Sequence, residues 1–302
     1  MVKSAAELKR MYENGINISA FLREEKGLEF NSKEIIEVAY DLQAGSYIAA
    51  VEKSSIGKQR QDFAKEVASL IMSLCRPENI LEAGIGEAVT FAEVLKNLPD
   101  DIAGYGFDLS WSRIAYAQSY LKEKRVANTT LCTGDLLQIP FADNSIDVVY
   151  TSHSIEPNRG SEKEILKELF RITRKYLVLL EPGYELADDA CRKRMDAHGY
   201  CRNLVGFAKD LGYKVLQNYL FPHPANPLNP TALTLIEKES IEDRPANIFA
   251  CPKYKCSLEK FDSFLFSPQG LVAYPVILGI PCLRIENGVF ASHLKRFADL
   301  EK

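Results

Sequence analysis

Apolar residues recur at the helical period of about 3.6 residues along Phe63, Val67, Leu70, Ile71 and Leu74. A short apolar run, Ile80-Leu81, reads as a buried strand, and after it come a glycine turn and a second amphipathic stretch through Phe91, Val94, Leu95 and Leu98. The alternation continues, with strands predicted at 102–107, 146–150 and 176–180 and helices at 111–124 and 162–175. Strand and helix patterns in turn signify a parallel sheet covered by crossover helices. Beyond Leu180 the order changes. Helices predicted at 187–198 and 204–211 precede two strands, 213–220 and 231–237, joined by a loop holding Pro222, Pro224, Pro227 and Pro230. That loop has no room for a crossover helix, so the two strands are expected to pair antiparallel.

Outside this body the pattern differs. Residues 1–58 are helical and amphipathic, as in Leu8, Met11 and Tyr12 and again in Ile35, Ile36, Val38 and Ala39. From about residue 241 the chain is strand-like and punctuated by proline, as in Ala273-Tyr274-Pro275 and Gly279-Ile280-Pro281. Three parts are expected: 1–58, 59–240 and 241–302. The charges, 37 Lys and Arg against 41 Asp and Glu, leave a net of −4 in 302 residues, which gives a polyanion no general field to follow and disfavours a nucleic-acid partner. The chain has no run of the roughly 20 apolar residues a bilayer span needs and no secretory leader at its N-terminus, so a cytoplasmic protein without a membrane partner is expected. Seven cysteines, thinly spread, point to reduced thiols and not to a disulfide framework.

The strand at Ile80-Leu81 runs into Glu82-Ala83-Gly84-Ile85-Gly86-Glu87-Ala88. Glycines here allow a tight turn and a close approach of ligand to backbone at the carboxyl end of a strand. A dinucleotide and S-adenosylmethionine compete for such a turn. The dinucleotide fingerprint wants a small residue three positions after the second glycine, where Val89 stands, while Ala88 suits the alternative spacing. Glu82 and Glu87 would repel a pyrophosphate and attract the cationic amino group and sulfonium of the methyl donor.

The pattern resembles the seven-stranded class I S-adenosylmethionine-dependent methyltransferases, over roughly residues 40–238. In that family an acid-x-Gly-x-Gly-x-Gly loop follows the first strand, and Glu82, Gly84, Gly86 and Ala88 match it. The resemblance implies a Rossmann-like sheet. It also implies that Asp108, in Gly106-Phe107-Asp108-Leu109-Ser110, binds the ribose hydroxyls, and that Asp135, in Thr133-Gly134-Asp135-Leu136-Leu137, lies beside the adenine. Leu109 and Leu136 join these acids among the implied donor-binding residues. Tyr47, in the segment that closes over the donor in many relatives, is either a donor contact or an aromatic anchor for a helix.

The acceptor is expected at the loops after strands four and five. Thr151-Ser152-His153-Ser154-Ile155-Glu156-Pro157-Asn158-Arg159-Gly160 lacks the Asn/Asp-Pro-Pro-Tyr/Phe of family members that methylate amides and exocyclic amines. His153 is expected as a general base toward a hydroxyl, with Glu156 orienting it or binding a cationic acceptor. Otherwise His153 only hydrogen-bonds the loop and Glu156 pairs with Arg159. The function implied is methyl transfer to an oxygen or nitrogen of a small molecule. The alternatives are a tRNA or protein methyltransferase and a catalytically silent scaffold or sensor.

The segment from Cys251-Pro252-Lys253-Tyr254-Lys255-Cys256 through Gly279-Ile280-Pro281 is similar, over about residues 248–292, to a small zinc-ribbon-like family that includes an activator subunit of several methyltransferases. Its Cys-Pro-x-Cys pair is broken by Tyr254, and the second pair falls near Ser267 and Gly270. Structural zinc needs four ligands, so a metal-free degenerate ribbon is expected, either an activator fused in cis or a packing appendage.

Overall fold

The computed structural model describes residues 3–53, 56–224, 226–239 and 244–298. The chain begins with four helices, α1 (Ala5–Glu13), α2 (Ile18–Glu25), α3 (Lys33–Leu42) and α4 (Ser46–Lys53). Ser4, Asn17 and Ser32 cap the first three by accepting a backbone N–H from the first turn, which satisfies donors that have no partner inside the helix. Leu8, Ile18, Leu22, Ile35 and Ala39 close a small core among them.

The body follows as α5 (Ile56–Leu74), β1 (Asn79–Ala83), α6 (Val89–Lys96), β2 (Ala103–Asp108), α7 (Trp111–Glu123), β3 (Thr129–Thr133), β4 (Ile146–Ser152), α8 (Glu162–Ile172), β5 (Thr173–Pro182), α9 (Asp189–His198), α10 (Leu204–Asp210), β6 (Lys214–Leu220) and β7 (Thr231–Glu237). Seven strands form one sheet in the order β3-β2-β1-β4-β5-β7-β6. Strands β1 to β5 pair parallel, and β7 runs antiparallel to both of its neighbours. The proline-loop pairing is as the sequence predicts. The short polar strand β3 has no counterpart in the periodicity reading, because Thr129-Thr130-Leu131-Cys132-Thr133 carries too little apolar signal.

Alternation along the strands divides the core. Ile80, Val148, Tyr150, Val178, Leu180 and Leu235 face α5, α6 and α7. Leu81, Val149, Leu177, Leu179 and Ile236 face α8 and α10. Strands covered on both sides are apolar without a break, which is why their sequence shows runs and not alternation.

The C-terminal segment adds β8 (Glu259–Lys260), β9 (Phe264–Ser267), β10 (Val272–Ile277), β11 (Ile280–Pro281), β12 (Val289–Phe290) and α11 (Leu294–Ala298). Its strands pair antiparallel. Leu258, Leu265, Tyr274 and Leu283 enter the same core as α8, and Cys282 bridges Thr133 at the β3 edge of the large sheet. The boundary expected at residue 58 falls inside α5, and that expected at 240 lies outside the described residues.

Candidate functional site

A cavity of about 320 Å³ opens at the carboxyl ends of β1, β2, β3 and β4. Its floor is the turn after β1. Gly84 and Gly86 have φ of +71° and +55°, a region closed to most side chains. A Cβ on Gly84 would lie 2.3 Å from the Ser154 Cβ, so the turn fits only as glycine. Ala88 also has a positive φ, +60°, and caps α6 without a side-chain hydrogen bond. The third position of the motif thus keeps a glycine-like conformation with an alanine in it.

Three acids end the first three strands. Glu82 is 3% exposed and accepts a 2.7 Å hydrogen bond from the Tyr150 hydroxyl. Burial pushes its carboxyl up to about 8, against the opposing effects of Tyr150 and Arg60. Asp108 accepts from Gly86 N–H and Ser110 N–H, each at 2.9 Å, and so joins the turns after β1 and β2. Asp135 accepts from Leu137 N–H at 2.9 Å and meets the Lys33 ammonium at 3.1 Å. Leu109, Leu136 and Tyr47 line the same cavity.

Glu87 departs from its expected role. Its carboxylate accepts from the N–H groups of Gly45, Tyr47 and Ile48, which fixes the start of α4 over the glycine turn instead of offering charge to a ligand. Tyr47 stacks its ring 4.8 Å from the Arg113 guanidinium, with Tyr40 at the same distance. It therefore both lines the cavity and anchors the N-terminal helices.

At the other end of the cavity His153 stands at φ +57°, held at both ring nitrogens. Nδ1 lies 2.7 Å from Glu156 Oε2, and Nε2 lies 2.7 Å from Thr231 Oγ1. Burial pulls the imidazole down, but Glu156 and Glu181 together more than offset it, so His153 titrates above its usual value. Glu156, conversely, is held below the usual carboxylate range by His153 and Asn229 in spite of its burial. Glu156 accepts from Asn229 Nδ2 at 3.1 Å and does not pair with Arg159, which lies over the Phe30 ring. Beneath the loop, Glu181 accepts from the N–H groups of Ser154, Ile155 and Glu156. Burial pushes this carboxyl up to about 7.

The comparisons with known proteins agree with this architecture. Residues 80–176 match the methyltransferase domain family. Two curated relatives are demethylmenaquinone methyltransferases, from Geobacillus sp. (strain WCH70), 31% identical over 70 residues (23% of this chain, 30% of the relative), and from Listeria welshimeri, 25% identical over 117 residues (39% and 46%). The chain spans less than half the length of either. Among solved structures, magnesium protoporphyrin IX methyltransferase from Synechocystis PCC 6803 with bound SAH superimposes with a TM-score of 0.55 at 14% identity, over 69% of this chain and 100% of that one. A chain of the complex between the Haloferax volcanii methyltransferase activator and a methyltransferase gives 0.50 at 14% identity, over 66% and 98%. The fold is that of class I S-adenosylmethionine-dependent methyltransferases.

Four residues of the cavity escape a motif reading. Arg60 shares the apolar stripe of α5 with Phe63 and Val67, and a charge on that stripe was its only signal. Its Nη1 donates to Thr90 at 3.0 Å, and its Nε is buried without a partner. Arg113 donates from Nε to the Tyr40 carbonyl at 2.9 Å and leaves Nη2 buried without a partner. Thr231 and Asn229, brought by the proline loop, leave no trace in local sequence.

In the C-terminal segment, Cys251, Tyr254, Ser267 and Gly270 lie close together. Cys251 Sγ is 3.5 Å from both Tyr254 N and the Tyr274 hydroxyl, and Ser267 Oγ lies 3.3 Å from Cys256 Sγ. The Tyr254 ring occupies the space that a Cβ on Gly270 would need, at 2.8 Å. Among the described residues no group of three or more His, Cys, Asp or Glu is placed to hold a metal ion.

Proposed function

We propose that the chain binds S-adenosylmethionine and transfers its methyl group to an oxygen or nitrogen of a small-molecule acceptor. One observation carries this: a glycine turn closed to any other residue and three strand-end acids border a single cavity whose far end holds His153 and Glu156. The lining suits such a donor by its chemistry. Glu82 provides an anion for an ammonium group, the carboxylate of Asp108 keeps lone pairs for a diol, and Arg60 Nε and Arg113 Nη2 are unpartnered donors suited to a carboxylate. Bound S-adenosylmethionine supplies an electrophilic methyl on a good leaving group, and the catalytic demand on the protein is then mainly alignment.

His153 is the base of this proposal, with Glu156 as its orienting partner. The base needs the neutral imidazole, so transfer to a hydroxyl should rise with pH through the raised His153 pKa. Thr231 caps Nε2 in the structure and must turn aside or relay the proton. A small-molecule acceptor agrees with the curated relatives, which are named for demethylmenaquinone. The same reading keeps residues 1–58 as the cover, 59–240 as the catalytic body and 241–302 as a degenerate ribbon, favoured by the clustering of Cys251, Tyr254, Ser267 and Gly270.

Calorimetric titration with S-adenosylhomocysteine tests the donor site. Micromolar or tighter binding is expected, weakened roughly tenfold to a hundredfold in Asp108→Ala, the loss typical of hydrogen bonds to a charged group. Equal binding by the variant would remove Asp108 from the site. Turnover is tested by labelled methyl transfer into a metabolite extract.

A further inference from the structure

The covering helix α3 is tied to the cavity from two sides. From the body, Asp41 accepts from Ser110 Oγ at 2.7 Å and from Ser112 Oγ at 3.0 Å. From the C-terminal segment, Arg284, only 7% exposed, donates from Nη2 to Glu37 Oε2 at 2.6 Å and from Nη1 to Glu37 Oε1. The same Nη1 lies 3.3 Å from the Leu109 carbonyl, in the loop that follows Asp108. Two residues on, Glu286 pairs with Lys33, whose ammonium also meets Asp135. Glu37, Lys33, Leu109 and Asp135 all line the cavity. A paired guanidinium and carboxylate with two parallel hydrogen bonds is directional as well as charged, and burial of the arginine shields this pair more than an ordinary surface ion pair.

The connection is not a by-product of packing. Most apolar contacts of the C-terminal segment go to the opposite face of the sheet, among Phe107, Phe141 and α8, while Ile280 joins the core under α7. Its charged residues Arg284 and Glu286 reach across the β3 edge to α3. Cys282, next in the chain to Leu283 and Arg284, is fixed beside Thr133, so the position of Arg284 is set by the large sheet and transmitted to α3.

We propose that Arg284, with Glu286, is a positioning residue for the donor site: the C-terminal segment latches α3 across the cavity and so sets donor affinity within the same chain. Lys33 is the movable member. It bridges Asp135 and Glu286, and a ligand amine that takes up Asp135 leaves Lys33 held by Glu286, so α3 stays in place as the acid is released. This inference rests on the donor-site reading above, and its test separates the two.

The full chain and the variants Arg284→Ala, Arg284→Lys, Glu37→Ala and the double variant Arg284→Ala/Glu37→Ala are titrated with S-adenosylhomocysteine. Amide exchange of residues 35–42 is followed in the ligand-free protein. Arg284→Ala is expected to weaken binding about tenfold and to speed exchange in α3 about tenfold, with β9 and β10 unchanged. Arg284→Lys should recover part of both. The double variant should be no worse than Arg284→Ala, because either change breaks the same pair. Binding within twofold of the wild type together with unchanged α3 exchange would overturn the latch. Loss of protection in β9 and β10 along with α3 would also overturn it, since Arg284 would then serve the fold of the segment. Should the wild type bind no S-adenosylhomocysteine, the donor-site reading fails, and the exchange data alone decide whether Arg284 holds α3.

Discussion

The two ends of the cavity are built on different principles. The proposed donor end is shaped by backbone: Gly84 and Gly86 at positive φ, and Asp108 accepting two N–H groups that fix its turns. The proposed acceptor end is shaped by side chains from distant parts of the chain, His153 and Glu156 on one loop, Asn229 and Thr231 on another, and Glu181 beneath. The first arrangement tolerates almost no substitution but can be read from two short motifs, Glu82–Ala88 and Gly106–Ser110. The second can be rewired by single changes, which suits an end that must differ with the acceptor.

The largest expected effect falls on the donor end. Gly84→Ala adds a methyl within 2.3 Å of Ser154 and imposes a positive φ on alanine. Overpacking and left-handed strain together should cost about 2–4 kcal/mol in urea denaturation, with loss of donor binding. A cost under about 1 kcal/mol would mean that the turn is not the rigid half of the comparison.

Next comes pH. Glu82, pushed up to about 8 by burial, binds its proton more tightly folded than unfolded, so the free protein loses stability as pH rises from the ordinary glutamate range toward 8. An ammonium placed beside Glu82 favours the carboxylate, so donor binding should release a proton below pH 8. Affinity for S-adenosylhomocysteine is expected to rise between pH 6 and 8, by at most about tenfold per unit, and Glu82→Gln should flatten the profile. A flat wild-type profile would detach Glu82 from the ligand.

A smaller effect probes the acceptor end. Glu156→Gln removes the nearer of the two charges that oppose burial at His153, so the imidazole should titrate lower, as followed by NMR. Donor affinity should stay within about threefold, a difference of roughly 0.7 kcal/mol. A parallel loss of donor binding would merge the two ends into one unit.

The smallest is Ala88→Gly, in the same turn as Gly84. Relief of left-handed strain is offset by a lost buried methyl and by glycine entropy. The net change in thermal denaturation should lie within about 1 kcal/mol.

The same contrast governs what was legible in the sequence. The order of strands and helices, the antiparallel β7 and the glycine turn follow from short-range patterns such as Ile80-Leu81 and the proline loop. Glu82, Gly84, Gly86, Asp108 and Asp135 lie along one sheet edge because each ends a strand or follows one. The chemistry of these acids was less visible. Glu87, next to Gly86, gives its carboxylate to α4, a partnership made across some forty residues that no motif encodes. Thr231 reaches His153 only because β7 inserts beside β5. Arg284 reaches α3 from the far end of the chain.

The seat of Cys282 beside Thr133 bears on one further property. An open sheet ends in strands whose free N–H and C=O groups invite pairing with other molecules, and natural proteins cover or blunt such edges. Strand β3 is one end of the large sheet, and residues 280–283 sit along it while Phe249 covers Phe141. The C-terminal segment therefore also covers the end of this edge. A chain truncated before it would bare both an unpaired strand end and an aromatic surface, the kind of edge at which chains pair with one another.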